Sequence, residues 1–335
     1  MAAVASPHTA RNSVFSLDVP DVQAKAAEKR EIVQKLIRNL ERAERNDGPV
    51  DRAWLKQIIN PKDQCFQTLI KLLVAPKYEG FVSLRCVCLR AMQMMLRIAT
   101  RIVVTANEAS ADSTHGVQCF LELAGEKLAR EAYALICNLV ESREDTLLAC
   151  NALLVLAEMG PQTVAPHLAK KLFALFMAVP ERADELMEVA LRMHSWGGER
   201  RSALLEAMVS HAGGRLLGEV LLQVINRGDG GRRARAAKIL TGCLALPQGE
   251  RLLYTNDVLV LIEILLRELP CTAGDVGGFE AHANCLLALT RRCGPAGSNR
   301  RGEFVQIIVD VRDDERNPQA VRRTCTQMLA SLDTQ

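Results

Sequence analysis

Apolar residues recur along this chain at helical rather than strand spacing. From Asp21 to Arg45, Ile32, Val33, Leu36, Ile37 and Leu40 fall on one face of a charged segment, which predicts an amphipathic helix. Pro61 opens "PKDQCFQTLIKLLVAP" at the first helical turn, where proline is tolerated best, and Pro76 stops it. A long helix is predicted over Leu84 to Val104, with Met92, Met94 and Met95 as core filler. The polar stretch "TANEASADSTHG", Thr105 to Gly116, reads as a loop. Further helices are predicted between breaks at Gly160-Pro161, Pro180, Gly197-Gly198, Gly213-Gly214, Gly228 to Gly231, Pro247, Pro270 to Gly278, Gly294 to Gly302, and Pro318. Period-two alternation does not recur, and Asp47-Gly48 and Asp229-Gly230 fall between helical patterns. The pattern predicts an all-α protein.

Some of these helices resemble one another. "NALLVLAEMG", "EVALRMHSWG", "AAKILTGCLAL" and "AHANCLLALTRRCG" each open an Ala/Leu-rich helix with small residues. Aligning Ala152, Ala190, Ala237 and Ala283 gives steps of 38, 47 and 46 residues. Armadillo and HEAT units repeat at about 40–47 residues. One helical unit cannot bury its apolar face alone, so stacked neighbours must cover it. The expected fold is a single armadillo/HEAT-like, right-handed superhelical solenoid over residues 21–335, after a disordered tail at 1–20.

The segment "LLYTNDVLVLIEILLREL", Leu252 to Leu269, is apolar nearly all round. It reads as a buried helix with a thin polar stripe. Asn256, Glu263 and Arg267 share one side, and Glu263 and Arg267 are spaced to pair at i,i+4. The stripe is expected on the concave surface of the solenoid. Leu259, Leu261, Ile262, Leu265 and Leu266 are expected in the core, and Thr255 and Asn256 sit where a cap is wanted.

Composition narrows the function. The net charge of +3 and 4% aromatic content argue against nucleic acid, which is bound through basic patches and stacking platforms. Arginine clusters do occur in the second half, at Arg200-Arg201, Arg232-Arg233-Arg235, Arg291-Arg292, Arg300-Arg301 and Arg322-Arg323; contact with an acidic protein surface is the alternative to a solvated face. The 11 cysteines show no disulfide framework and predict reduced, mostly buried thiols. Cys86-x-Cys88 lacks zinc spacing, and His282/Cys285 is a weak pair, so no metal and no cofactor is expected. "RCGPAGSNRRGE", Arg292 to Glu303, follows no strand and reads as a loop rather than a phosphate cradle. No nucleophile elbow, P-loop or HExxH pattern is present, so no enzyme is expected. "MAAVASPHTARNSVFSLDV" lacks the apolar core of a signal peptide, and no apolar run is long enough to span a membrane.

Leu204 to Leu269 resembles the leucine-rich armadillo domain of the WASP-interacting SH3 protein/Diaphanous-interacting protein family. Three features carry the resemblance in order: "GEVLLQVINRGD" (Gly218 to Asp229), a helix ending shortly before Pro247, and "LYTNDVLVLIEILLREL". The later "NRRGEFVQIIV" and "AVRRTCTQML" loosely resemble the closing helices of that family. Animal members carry an SH3 domain and a proline-rich region; this chain shows neither and resembles the shorter fungal-type members. "CTAGDVGGFEAHANCLLALT" departs from the family by lacking an aromatic-rich helix after the motif.

The resemblance implies a cytoplasmic, non-catalytic protein of the actin cytoskeleton and cell cortex. It implies binding to the actin-related protein 2/3 complex and activation of that complex without a preformed filament, giving unbranched actin filaments; actin itself is then an indirect partner. A generic armadillo/HEAT scaffold for another helical or extended partner is the alternative, and homodimerisation stays open. The expected partner-binding residues are Asn226, Arg227 and Asp229 after one helix, Arg232, Arg233 and Arg235, and Tyr254, Asn256, Asp257, Glu263, Arg267 and Glu268 on or near the stripe. Caps, helix pairs and solvated faces are the structural alternatives for the same positions.

Overall fold

The computed structural model describes residues 19–45, 64–106, 115–142, 145–293 and 300–333. Among them are fifteen α-helices and no strand. They fall into two compact units, residues 1–164 and 165–335. The Pro61 helix start and nearly all of the expected 1–20 tail lie outside the described residues.

The first unit holds α1 (Val19–Arg45), α2 (Cys65–Val74), α3 (Val82–Ala106), α4 (His115–Ala124), α5 (Glu126–Glu141) and α6 (Thr146–Met159). Helix α3 packs against α1, α2, α4 and α6, and α5 packs against α6. Helix α6 is enclosed: every residue from Leu148 to Met159 is buried. Its two buried polar side chains find internal donors or acceptors, although Asn151 Oδ1 is buried without a partner. The Asn151 amide donates to the Leu147 carbonyl at 2.9 Å, and Glu158 accepts from Arg97 at 3.0 Å. Arg97 also reaches Glu44 at 3.2 Å, tying α1, α3 and α6 together. Asp145 caps α6 by accepting from the Leu148 amide at 2.8 Å. The polar loop is shorter than its composition predicts, since α3 runs on to Ala106 and α4 starts at His115.

The second unit holds α7 (Leu168–Ala178), α8 (Ala183–Trp196), α9 (Gly198–Ser210), α10 (Gly214–Arg227), α11 (Gly230–Ala245), α12 (Thr255–Thr272), α13 (Val276–Arg292), α14 (Arg301–Asp313) and α15 (Gln319–Asp333). Helices α8, α11, α13 and α15 pack in series, and α10, α12 and α14 form a second series beside them. This serial packing is that of an all-α solenoid. Ala190, Ala237 and Ala283 sit on successive members of the first series and are buried; Ala152, the fourth residue of that alignment, is buried on α6 of the first unit. Cys325, fully buried on α15, stands at the next place in that series.

Pro270 does not break the chain as expected. It lies inside α12, which continues to Thr272. Proline there removes the amide that would bond Leu266. The side chains beside it bond other carbonyls of the last turn: Cys271 Sγ reaches the Arg267 carbonyl at 3.7 Å, and Thr272 Oγ1 reaches the Glu268 and Leu269 carbonyls at 3.2 and 3.1 Å.

Candidate partner-binding surfaces

The three features that carry the family resemblance meet in space. Helix α10 packs on both α11 and α12, and on the short 3₁₀ turn Gly249–Leu252 that joins those two. Two glycines make this approach possible. A Cβ at Gly218 would stand 2.1 Å from the Leu252 carbonyl oxygen, and one at Gly249 would stand 1.9 Å from the Cys243 carbonyl oxygen. Both opposing atoms are backbone, which cannot swing aside, so any side chain would push the elements apart. "GEVLLQVINRGD" and the turn leading into "LYTNDVLV" are therefore coupled by a contact between backbones.

Helix α12 is partly as expected. Val258, Leu261, Ile262, Ile264, Leu265, Leu266 and Leu269 are buried. Leu259 is not in the core: it is 36% exposed, beside Val260 at 44%. A helix advances about 100° per residue, so Asn256, Leu259, Val260, Glu263 and Arg267 line one outward face. All five are exposed. Tyr254, 46% exposed, stands at the start of that face under the Arg215 guanidinium, 4.8 Å above its ring, and Leu216 of α10 is exposed nearby in sequence. The stripe is thus wider and more apolar than the sequence reading made it.

Two other expectations change. Arg267 pairs with Glu268, at 3.1 Å, rather than with Glu263. The start of α12 is closed by Asp257, whose carboxylate accepts from the Tyr254 amide at 3.0 Å, not by Thr255 or Asn256.

The remaining expected residues divide by role. Asn226 and Arg227 form the last turn of α10 rather than a loop, with Arg227 exposed. Asp229 caps α11, accepting from the Arg232 amide at 2.8 Å. Arg233 is held on two sides, donating to the Gly228 carbonyl at 2.6 Å and pairing with Glu268. Glu268 is therefore an inward bridge between α11 and α12, with its side chain only 15% exposed. Arg235 and Arg232 converge on Glu188 of α8, at 3.1 and 3.6 Å. These arginines fasten neighbouring helices. Only part of their charge faces solvent.

The sequence reading passed over a groove in this unit. It has a volume of about 870 Å³ and is lined by α8, α9, α11 and α13. Asn256, Glu263 and Arg267 do not line it. His194, on its wall, is held near pKa 4 by burial first, then by the Arg201 and Lys238 charges. The signal that could have found it is the column of residues one repeat apart on α8, α11 and α13, which no single motif displays.

The cysteines pack as apolar groups. Burial pushes Cys88, Cys243 and Cys285 up to about 12 and Cys293 and Cys325 up to about 11, so they remain thiols at neutral pH. Cys271 is exposed. Among the described residues no group of His, Cys, Asp and Glu could hold a metal ion, and no helix is long and apolar enough to cross a membrane.

Fold and surface define an all-α helical-repeat domain. Residues 168–275, spanning α7 to the end of α12, match the family model for the SPIN90/Ldb17 leucine-rich domain. The resemblance drawn from Leu204 to Leu269 is borne out and extends towards the N-terminus by more than two helices. The match suggests an actin-related adaptor role. No curated protein and no solved structure matches the chain.

Proposed function

We propose that this protein binds the actin-related protein 2/3 complex and activates it without a preformed filament, so that unbranched actin filaments are seeded. The observation that carries the reading is the family match over residues 168–275, in which the one helix series presents an outward face of mixed chemistry. Leu259 and Val260 supply apolar contact there, and Asn256, Glu263 and Arg267 supply polar and charged rims. That combination suits a protein partner: an apolar centre contributes affinity and rim charges set orientation. Arg227 extends the charged surface at the end of α10.

Activation requires tighter binding to the active arrangement of the complex than to the inactive one. A rigid helical array favours this, because little ordering entropy is lost on docking. The protein acts in the cytoplasm at the actin-rich cortex. The test is assembly of fluorescent actin with purified complex and no preformed filaments. Acceleration that needs both this protein and the complex, with unbranched filaments by microscopy, is expected. No acceleration from a folded protein, with no binding to the complex in pull-down, overturns the reading.

A further inference from the structure

The groove between α8, α11 and α13 carries charge that the chain itself does not neutralise. Arg201, Arg235, Lys238, Arg291 and Arg292 line it, against Glu280 as the acid of the lining. Arg235 is met by Glu188 from outside the groove. The other arginines are fixed differently. Arg201 Nε donates to the His194 carbonyl at 2.9 Å, Arg291 to the Ser331 carbonyl at 3.0 Å, and Arg292 to the Leu244 and Leu246 carbonyls at 3.0 and 3.1 Å. A carbonyl orients a guanidinium without cancelling its charge. Among the described residues none of these three, nor Lys238, has a carboxylate partner. Burial first, and then the Arg201 and Lys238 charges, depress the pKa of His194 on the groove wall.

The floor is apolar, formed by Leu205, Leu244, Ala281, Leu287 and Ala288, with Asn284 exposed among them. An exposed carboxamide offers a donor and an acceptor, which a peptide main chain can use together. Three helices packed at about 8–10 Å span roughly 20 Å, the length of about six extended residues. No Phe, Tyr or Trp lines the groove, which disfavours stacked bases.

The geometry points to this groove as a docking site for an extended acidic peptide segment of a protein partner, its carboxylates facing the arginine and lysine rims and its apolar side chains on the floor. The site is separate from the outward face of α12, and its occupancy does not depend on the actin-related reading, because peptide binding is read on this chain alone.

The test is fluorescence anisotropy of the full chain with a short labelled peptide alternating Asp and Leu. The same peptide with Lys for Asp, the same with Asn for Asp, and single-stranded oligouridine serve as competing probes. Saturable binding of the acidic peptide, tightened by lower ionic strength and weakened about tenfold or more by Lys238→Glu with Arg291→Glu, is expected. The Lys238→Ala variant should weaken it less, with the helical spectrum and melting temperature unchanged, which separates loss of charge from loss of fold. Glu315→Lys, exposed and outside the groove, should leave binding as it is. Failure of the acidic peptide to bind, equal binding of the Lys or Asn peptide, preference for oligouridine, or insensitivity to the groove variants would each overturn the proposal.

Discussion

Helices α6 and α12 look alike as strings of letters, and the fold treats them differently. "TLLACNALLVLAEM" and "TNDVLVLIEILLREL" are both apolar almost throughout. Helix α6 is covered on every side from Leu148 to Met159, and its polar residues Asn151 and Glu158 are turned to internal partners. Helix α12 buries its Leu261, Ile262 and Leu265 side but leaves Leu259 and Val260 in water between Asn256, Glu263 and Arg267. Apolar content alone does not say how many neighbours a helix has. An exposed apolar pair within a charged stripe is the feature that separates this outward face from a core face.

The largest effects that sharpen this comparison lie in the two cores. Leu153→Ala in α6 and Leu261→Ala in α12 should each cost about 2–5 kcal/mol in denaturant melts, since both side chains are fully buried. If Leu261→Ala melted like the parent, the buried side of α12 would be wrongly placed. Next comes the internal ion cluster of the first unit. Glu158→Ala strands Arg97 with Glu44 alone and should cost about 3 kcal/mol, towards the low end for a buried pair because Arg97 keeps some solvent contact. A double variant with Arg97→Met should recover part of that loss.

Acid should weaken the second unit through His194. Its folded pKa lies near 4, below the ordinary 6.5, so the unfolded chain takes up a proton that the folded chain refuses. Stability from this group is complete above about pH 6.5 and falls as pH drops from there towards 4. Burial lowers His282 in the same sense. Replacing His194 with Gln should flatten the decline measured by melting at stepped pH; an unchanged slope would remove His194 as its source. The smallest effect is expected on the outward face. Val260→Glu should change stability by no more than about 0.5 kcal/mol, because Val260 is exposed and Glu is a good helix former.

Much of the fold was legible in the sequence because it rests on local signals. Helical periodicity set the elements, glycine and proline set most boundaries, and the alanine register marked the stacking helices of the second unit. The misses are tertiary. Pro270 reads as a stop because local rules disfavour it, yet α12 runs two residues past it to Thr272. Leu259 was read as core because its own helix is apolar; only the absence of a covering neighbour exposes it. Of the expected site residues, Asn256, Glu263, Arg267 and Tyr254 are exposed together, whereas Asp229, Asp257, Arg233 and Glu268 are occupied with caps and bridges. Charge read from a sequence says nothing of which charges are already spent on carbonyls and carboxylates. The groove went unseen for the same reason: its cations come from helices one repeat apart.

The most direct measurement is binding of the purified actin-related protein 2/3 complex to the parent chain and to Val260→Glu, with thermal melts of both. The account predicts that the parent binds, that Val260→Glu binds at least about tenfold more weakly, and that the two melt together. Equal binding by both, or no binding by a parent that melts as a folded protein, would contradict the assignment of the α12 face as the surface that meets the complex.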